Sequence, residues 1–166
     1  MKFGKQTQAI LTLVGILLAI SACQNSNSHV DGDIAMAERF EFSGGGAYHP
    51  DGFGEWRITL AADGTFAPTY QQADVITEYG PFILSEEENK ALWELIASAH
   101  FASLPETFER PGIPDETAYT FVGYGRNTTS KVEMWTADAK ENPALLALTE
   151  KIFSLIEQHT KVEVQT

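Results

Sequence analysis

Side chains able to do chemistry are sparse in this chain, and few lie close enough together to act jointly. The tightest grouping is His49, Asp51 and Glu55, three ligand-type side chains in one short stretch. Their spacing matches neither an HExxH helix nor a Cys/His zinc pattern. A glycine-rich loop also lacks the rigid support that a catalytic metal site needs. No metal or cofactor is therefore expected. Gly44-Gly45-Gly46 could cradle a phosphate, but such a loop should open a helix and supply a Lys or a Ser/Thr. Here the run leads instead to Tyr48, His49 and Pro50. Glu86-Glu87-Glu88 reads as the solvated first turn of a helix, where acids suit the helix dipole. No GxSxG elbow occurs, and Cys23 is the only cysteine. No catalytic residue is expected, although carboxylates paired from distant parts of the chain would leave no local mark. An enzyme with an unrecognised site stays open as one alternative.

Residues 44–54 suggest recognition rather than catalysis. Glycines at 44, 45, 46, 52 and 54 are interleaved with Tyr48, His49 and Phe53. A hairpin needs only about two to five connecting residues, and each glycine raises the entropy lost on ordering. The candidate partner-binding residues are Gly44, Gly45, Gly46, Ala47, Tyr48 and Phe53, with Tyr48 and Phe53 as apolar anchors. A tolerated surface insertion is the competing explanation.

The elements that must hold this loop follow from periodicity. Phe40 and Phe42 alternate on one face of a first strand. Trp56, Ile58 and Leu60 face inward on a second, with Arg57 and Thr59 outward. Ala62-Asp63-Gly64 supplies a tight turn. Thr65 to Tyr70 then returns, with Pro68 marking an edge or short strand. Residues 74–84 look extended and broken at Gly80-Pro81. Ser85 to Glu88 forms a capping box for a helix reaching about His100, with Leu92, Leu95, Ile96 and Ala99 on one face. Strands follow near Ala118–Tyr124 and Lys131–Trp135. Asn142-Pro143 then opens a second helix, striped by Leu145, Leu148, Ile152, Leu155 and Ile156. The order β-β-β-(β)-α-β-β-α predicts an α+β fold, an antiparallel sheet of four to five strands with two helices packed on one face.

The N-terminus reads as an address. Lys2 and Lys5 precede the uncharged stretch from Ala9 to Ile20, the order of a secretory signal peptide, and the run is short for a transmembrane helix. It ends in Ile20-Ser21-Ala22-Cys23, which resembles the lipobox of bacterial lipoproteins. The resemblance implies removal of residues 1–22, lipidation of Cys23 with a diacylglyceryl group, and acylation of the new amine. Several acyl chains anchor firmly where one would be marginal. Gln24 in place of an Asp implies the outer membrane, by the sorting rule of enteric lipoproteins. Residues 24–37 are mostly small and polar and read as a flexible tether, with an r.m.s. reach of about 20 Å. One domain is expected over 38–160, with a short tail over 161–166.

Charge narrows the partners. The 23 acidic residues outnumber the 11 basic ones, for a formal net charge of −12. Lys2 and Lys5 would leave with the signal, making the mature chain more acidic still. Nucleic acid is excluded as a partner by phosphate repulsion. The lipid, not a basic patch, would hold the domain at the membrane.

The layout from Phe40 to Ile156 resembles a group of small bacterial domains that includes the emfourin-type inhibitors of thermolysin-like metallopeptidases. The resemblance rests on Gly44-Gly45 after the first strand and on the Phe-x-x-Leu-Pro stretch from Phe101 to Pro105. It rests also on Pro114-Asp115 before the strand bearing Tyr119, and on the Leu-rich last helix. It implies a contact loop at Gly44, Gly45, Gly46, Ala47 and Tyr48, with a metallopeptidase as partner. The chain departs from that pattern in its lipoprotein signal and in the inserted His49-Pro50-Asp51. Uncharacterised envelope lipoprotein domains share much the same layout. The expected function is a non-enzymatic, outer-membrane-type lipoprotein whose small acidic domain binds a protein partner in the cell envelope. Metallopeptidase inhibition is the alternative.

Overall fold

Alternating burial writes the sheet into the strands. Phe40 and Phe42 in β1 (Arg39–Gly44) and Trp56, Ile58 and Leu60 in β4 (Glu55–Ala61) are buried. The residues between them are not. A computed structural model describes residues 38–50 and 52–165. The signal, Cys23 and the tether lie outside these residues, as does Asp51. The other strands are β2 (Tyr48–His49), β3 (Gly52–Phe53), β5 (Thr65–Gln72), β6 (Val75–Glu78), β7 (Phe82–Ile83), β8 (Ala118–Tyr124) and β9 (Thr129–Trp135). The helices are α1 (Glu86–Ser98), α2 (Thr136–Glu141) and α3 (Pro143–Thr160).

The fold is α+β on an antiparallel sheet, in the order β6-β5-β4-β1-β8-β9, with β7 also paired to β5. Among the described residues the sheet has seven strands, more than the four to five expected from the sequence, and there are three α-helices where two were expected. The stretch 74–84, expected to be extended and broken at Gly80-Pro81, forms β6 and β7, two halves of one outer strand along β5. The break between them has a cause in β5. The N–H of Tyr79 donates to the carbonyl of Pro68 (3.0 Å), so Pro68 turns its backbone outward, toward the strand that breaks. Proline has no N–H to offer there, and the outer strand gives way at Gly80-Pro81. Pro68 therefore lies in a strand flanked on both sides, not at the edge. The extra helix α2 buries only Ala139, too little to give an apolar period.

One face of the sheet is covered. Ser85 caps α1 reciprocally with Glu88. Asn142 caps α3, its Oδ1 accepting from the N–H groups of Ala144 and Leu145. These caps fix where each helix begins, and hence which stripe faces the sheet. Leu92 and Ile96 of α1 meet Leu145, Leu148, Ile152, Leu155 and Ile156 of α3 in one core with the inward strand residues. The opposite face is polar and carries ion pairs such as Arg39–Glu41 (3.2 Å) and Lys131–Glu133 (2.7 Å). Among the described residues no helix is long and apolar enough to cross a membrane.

Candidate functional site

The glycine stretch leaves the sheet as an arm held by backbone hydrogen bonds. Gly45 has φ +68°, in the left-handed region, and a Cβ placed on it would lie 2.8 Å from Cζ of Phe153. On Gly44 it would run into the Tyr119 ring. Phe153 and Tyr119 are themselves held, with Phe42, in a cluster of aromatic rings. These glycines let the backbone pass close over the core, so packing accounts for them. Gly44 and Gly45 are buried, while Gly46 and Ala47 are half-buried. The arm is laced by Trp56 N–H to Gly45 O (3.3 Å) and Gly54 N–H to Ala47 O (2.9 Å). Gly46 N–H donates to Gln165 O (3.0 Å), tying the C-terminal tail to the arm.

The tip of the arm is a small hairpin in which Tyr48 pairs with Phe53 and His49 with Gly52. The two rings meet edge to face at 5.3 Å, yet Tyr48 is 71% exposed and Phe53 41%. Of the six residues singled out in the sequence, these two present side chains outward and the glycines do not. Of the grouping His49, Asp51 and Glu55, Asp51 lies outside the described residues. His49 lies exposed in β2, and Glu55 is engaged by Arg57, whose Nε donates to Oε2 at 2.6 Å. Among the described residues no group of three or more His, Cys, Asp or Glu side chains is placed to hold a metal ion.

Where the arm rises from the uncovered face it borders a pocket of about 410 Å³, with Phe53, Glu55, Arg57, Gln71, Ala73 and Thr120 in its lining. The Arg57–Glu55 pair leaves its floor nearly neutral. The β5–β6 turn meets the same end of the strands, because Gln71 pairs with Glu55 and Gln72 with Val75. So does the segment before β8. There Arg110 binds Glu116 (2.7 Å) and Asp138 (3.0 Å), Trp135 Nε1 donates to Arg110 O (2.9 Å), and Phe108 stacks on Trp135 at 4.1 Å. Hydrogen bonding to Arg110 holds the Glu116 carboxyl below its ordinary range. Donating to the carboxylates of Glu116 and then Asp138 raises the pKa of the Arg110 guanidinium above its ordinary value.

Exposed apolar side chains concentrate here. Val75, Ile76, Phe108 and Ile113 join Tyr48 and Phe53 at this end, whereas Ile83 lies toward the other. Sequence reasoning missed Val75 and Ile76. The signal was the β-branched run Val75-Ile76-Thr77 with no polar alternation, which a strand with one buried face would show. The chain enters the domain at the opposite end: Glu38 N–H bonds Tyr124 O, and Ala62 N–H bonds Glu38 O. No family model matches the chain, and no curated protein does. The likeness to emfourin-type inhibitors thus rests on its short motifs alone.

Proposed function

We propose that this protein is a lipid-anchored, non-enzymatic envelope protein that binds a protein partner with the end of its sheet remote from the anchor. The observation that carries the reading is the Tyr48–Phe53 pair, two exposed aromatic rings packed on each other beside a pocket. Aromatic side chains give large contact area at low entropic cost and are enriched at interfaces. The placement of Glu38 supports the orientation. A chain held by lipid on Cys23, in Gram-negative cells at the outer membrane, and entering at Glu38 would have the arm at the end of the domain remote from the tether, where the anchor leaves it accessible to a partner. Inhibition of a thermolysin-like metallopeptidase is one form this binding would take. The part free to enter a cleft is then the tip, Ala47 to Phe53, not the buried Gly44 and Gly45.

The test combines Tyr48→Ser with Phe53→Ser in the full chain. The double variant keeps its denaturation midpoint and loses its crosslinked partners in intact cells; an unchanged crosslinking profile would overturn the reading. Titrating a thermolysin-like metallopeptidase with the full chain separates the inhibitor form. Anchoring is tested by Cys23→Ala, which abolishes acyl labelling and membrane retention. A Cys23→Ala chain still processed and retained as a lipoprotein would refute it.

A further inference from the structure

The outer edge of the sheet is an open strand of unusual composition. Among the described residues β6 pairs only with β5. In an antiparallel strand, the backbone groups of successive residues face alternate sides. Tyr79 N–H points inward to Pro68 O, so the groups of Thr77 and Val75 also face β5. Those of Ile76 and Glu78 face outward, without a neighbouring strand. Edges of this kind are commonly blunted by Lys, Pro or a bulge. Here all four residues of β6 are exposed, Val75 at 67% and Ile76 at 59%, and none is Lys or Pro.

Charge says what the edge accepts. The chain from Thr65 to Ser85 contains Asp74 and Glu78 and no Lys or Arg. Arg57, on the same uncovered face, is neutralised by Glu55. Ile76 and Glu78 lie two apart and so share that face, opposite Gln71 and Thr69. Resting on the protein-partner reading above, we infer that β6 receives an extended basic segment of that partner as an added strand. The segment places an apolar side chain against Ile76 and a Lys or Arg against Glu78. Backbone hydrogen bonds to Ile76 and Glu78 give the affinity and the alternating row of side chains the selectivity. A second copy of this chain is disfavoured, because it would bring its own Asp74 and Glu78 against these.

The probe is a fluorescein-labelled peptide in which Val/Ile and Lys stand two residues apart on one face with Thr between them, measured by anisotropy on the full-length lipidated protein in detergent micelles. Its controls are the same peptide with Glu for Lys and one interrupted by a central Pro. The expected result is saturable binding of the Lys peptide at least tenfold tighter than either control. Binding also slows amide exchange at Ile76 and Glu78. Ile76→Pro removes an outward N–H without touching the β5 ladder, and weakens binding at least tenfold. Glu78→Lys leaves the backbone intact and switches preference to the Glu peptide. Unchanged binding by both variants would overturn the inference. So would a concentration-dependent dimer that Ile76→Pro abolishes, since the edge would then belong to a second copy. Partners lost in cells with the Tyr48/Phe53 double variant but retained with Ile76→Pro would refute strand addition and leave the proposed function standing.

Discussion

Replacing Gly45 by Ala separates a glycine kept for packing from one kept for contact. Two costs follow from its position. A residue with a Cβ at φ +68° pays about 1–2 kcal/mol for the left-handed conformation. The new methyl would also sit 2.8 Å from Cζ of Phe153, inside van der Waals contact. That ring cannot simply swing aside, because Phe42 and Tyr119 pack on it at 5.6 and 6.1 Å. Overpacking of this kind costs about 1–3 kcal/mol, so Gly45→Ala should lose about 2–5 kcal/mol in all. Urea denaturation of the full chain, with the slope checked for constancy, measures it. The steric part is isolated by a double-mutant cycle with Phe153→Leu, where Gly45→Ala should cost measurably less. A loss below about 0.5 kcal/mol, or one that Phe153→Leu leaves untouched, would refute the packing account.

Two further outcomes follow from the core and from the loop before β8. Leu92 is fully buried between α1 and the sheet, so Leu92→Ala should cost about 2–5 kcal/mol, whereas the exposed Glu87→Ala should cost under about 0.5 kcal/mol; equal denaturation midpoints would contradict the helix phase. The Glu116 carboxyl is depressed in the folded state by Arg110, so its stabilisation is fully present above the unfolded carboxyl pKa and is lost as pH falls through the lower folded one. Trp135 fluorescence should report that loss as the Phe108 stack loosens in acid, and Glu116→Gln should remove the step; an identical acid transition in Glu116→Gln would reject the assignment.

What could be read from the sequence was what burial imposes periodically. Ile58 and Leu60 in β4, and Leu92 and Ile96 in α1, lie inward as the 2.0 and 3.6 periods require, and the caps at Ser85 and Asn142 set the helix starts. The strand β6 could not be read this way. It is held by backbone bonds to β5 and buries none of its four side chains, so no hydrophobic period marks it. Pro68 signalled a missing donor but not the side on which it was missing, which only the pairing with Tyr79 reveals. The glycines were visible as a loop. Their reason was not, because Phe153 and Tyr119 lie far along the chain and meet the arm only in the folded state. The exposure of Tyr48 likewise needed the hairpin, whose pairing with Phe53 keeps both rings out of the core.

The central claim is that recognition happens at the arm's end of the sheet and not at the end where the chain enters. Site-specific photocrosslinking in intact cells tests it most directly, with a photoreactive phenylalanine analogue at Tyr48 in one full-length chain. A second chain carries it at Arg126, in the turn after β8 beside the entry point. The account predicts a discrete protein adduct from position 48, lost in the presence of excess unlabelled chain, and none from position 126. A discrete, competable adduct from position 126 with none from position 48 would contradict it.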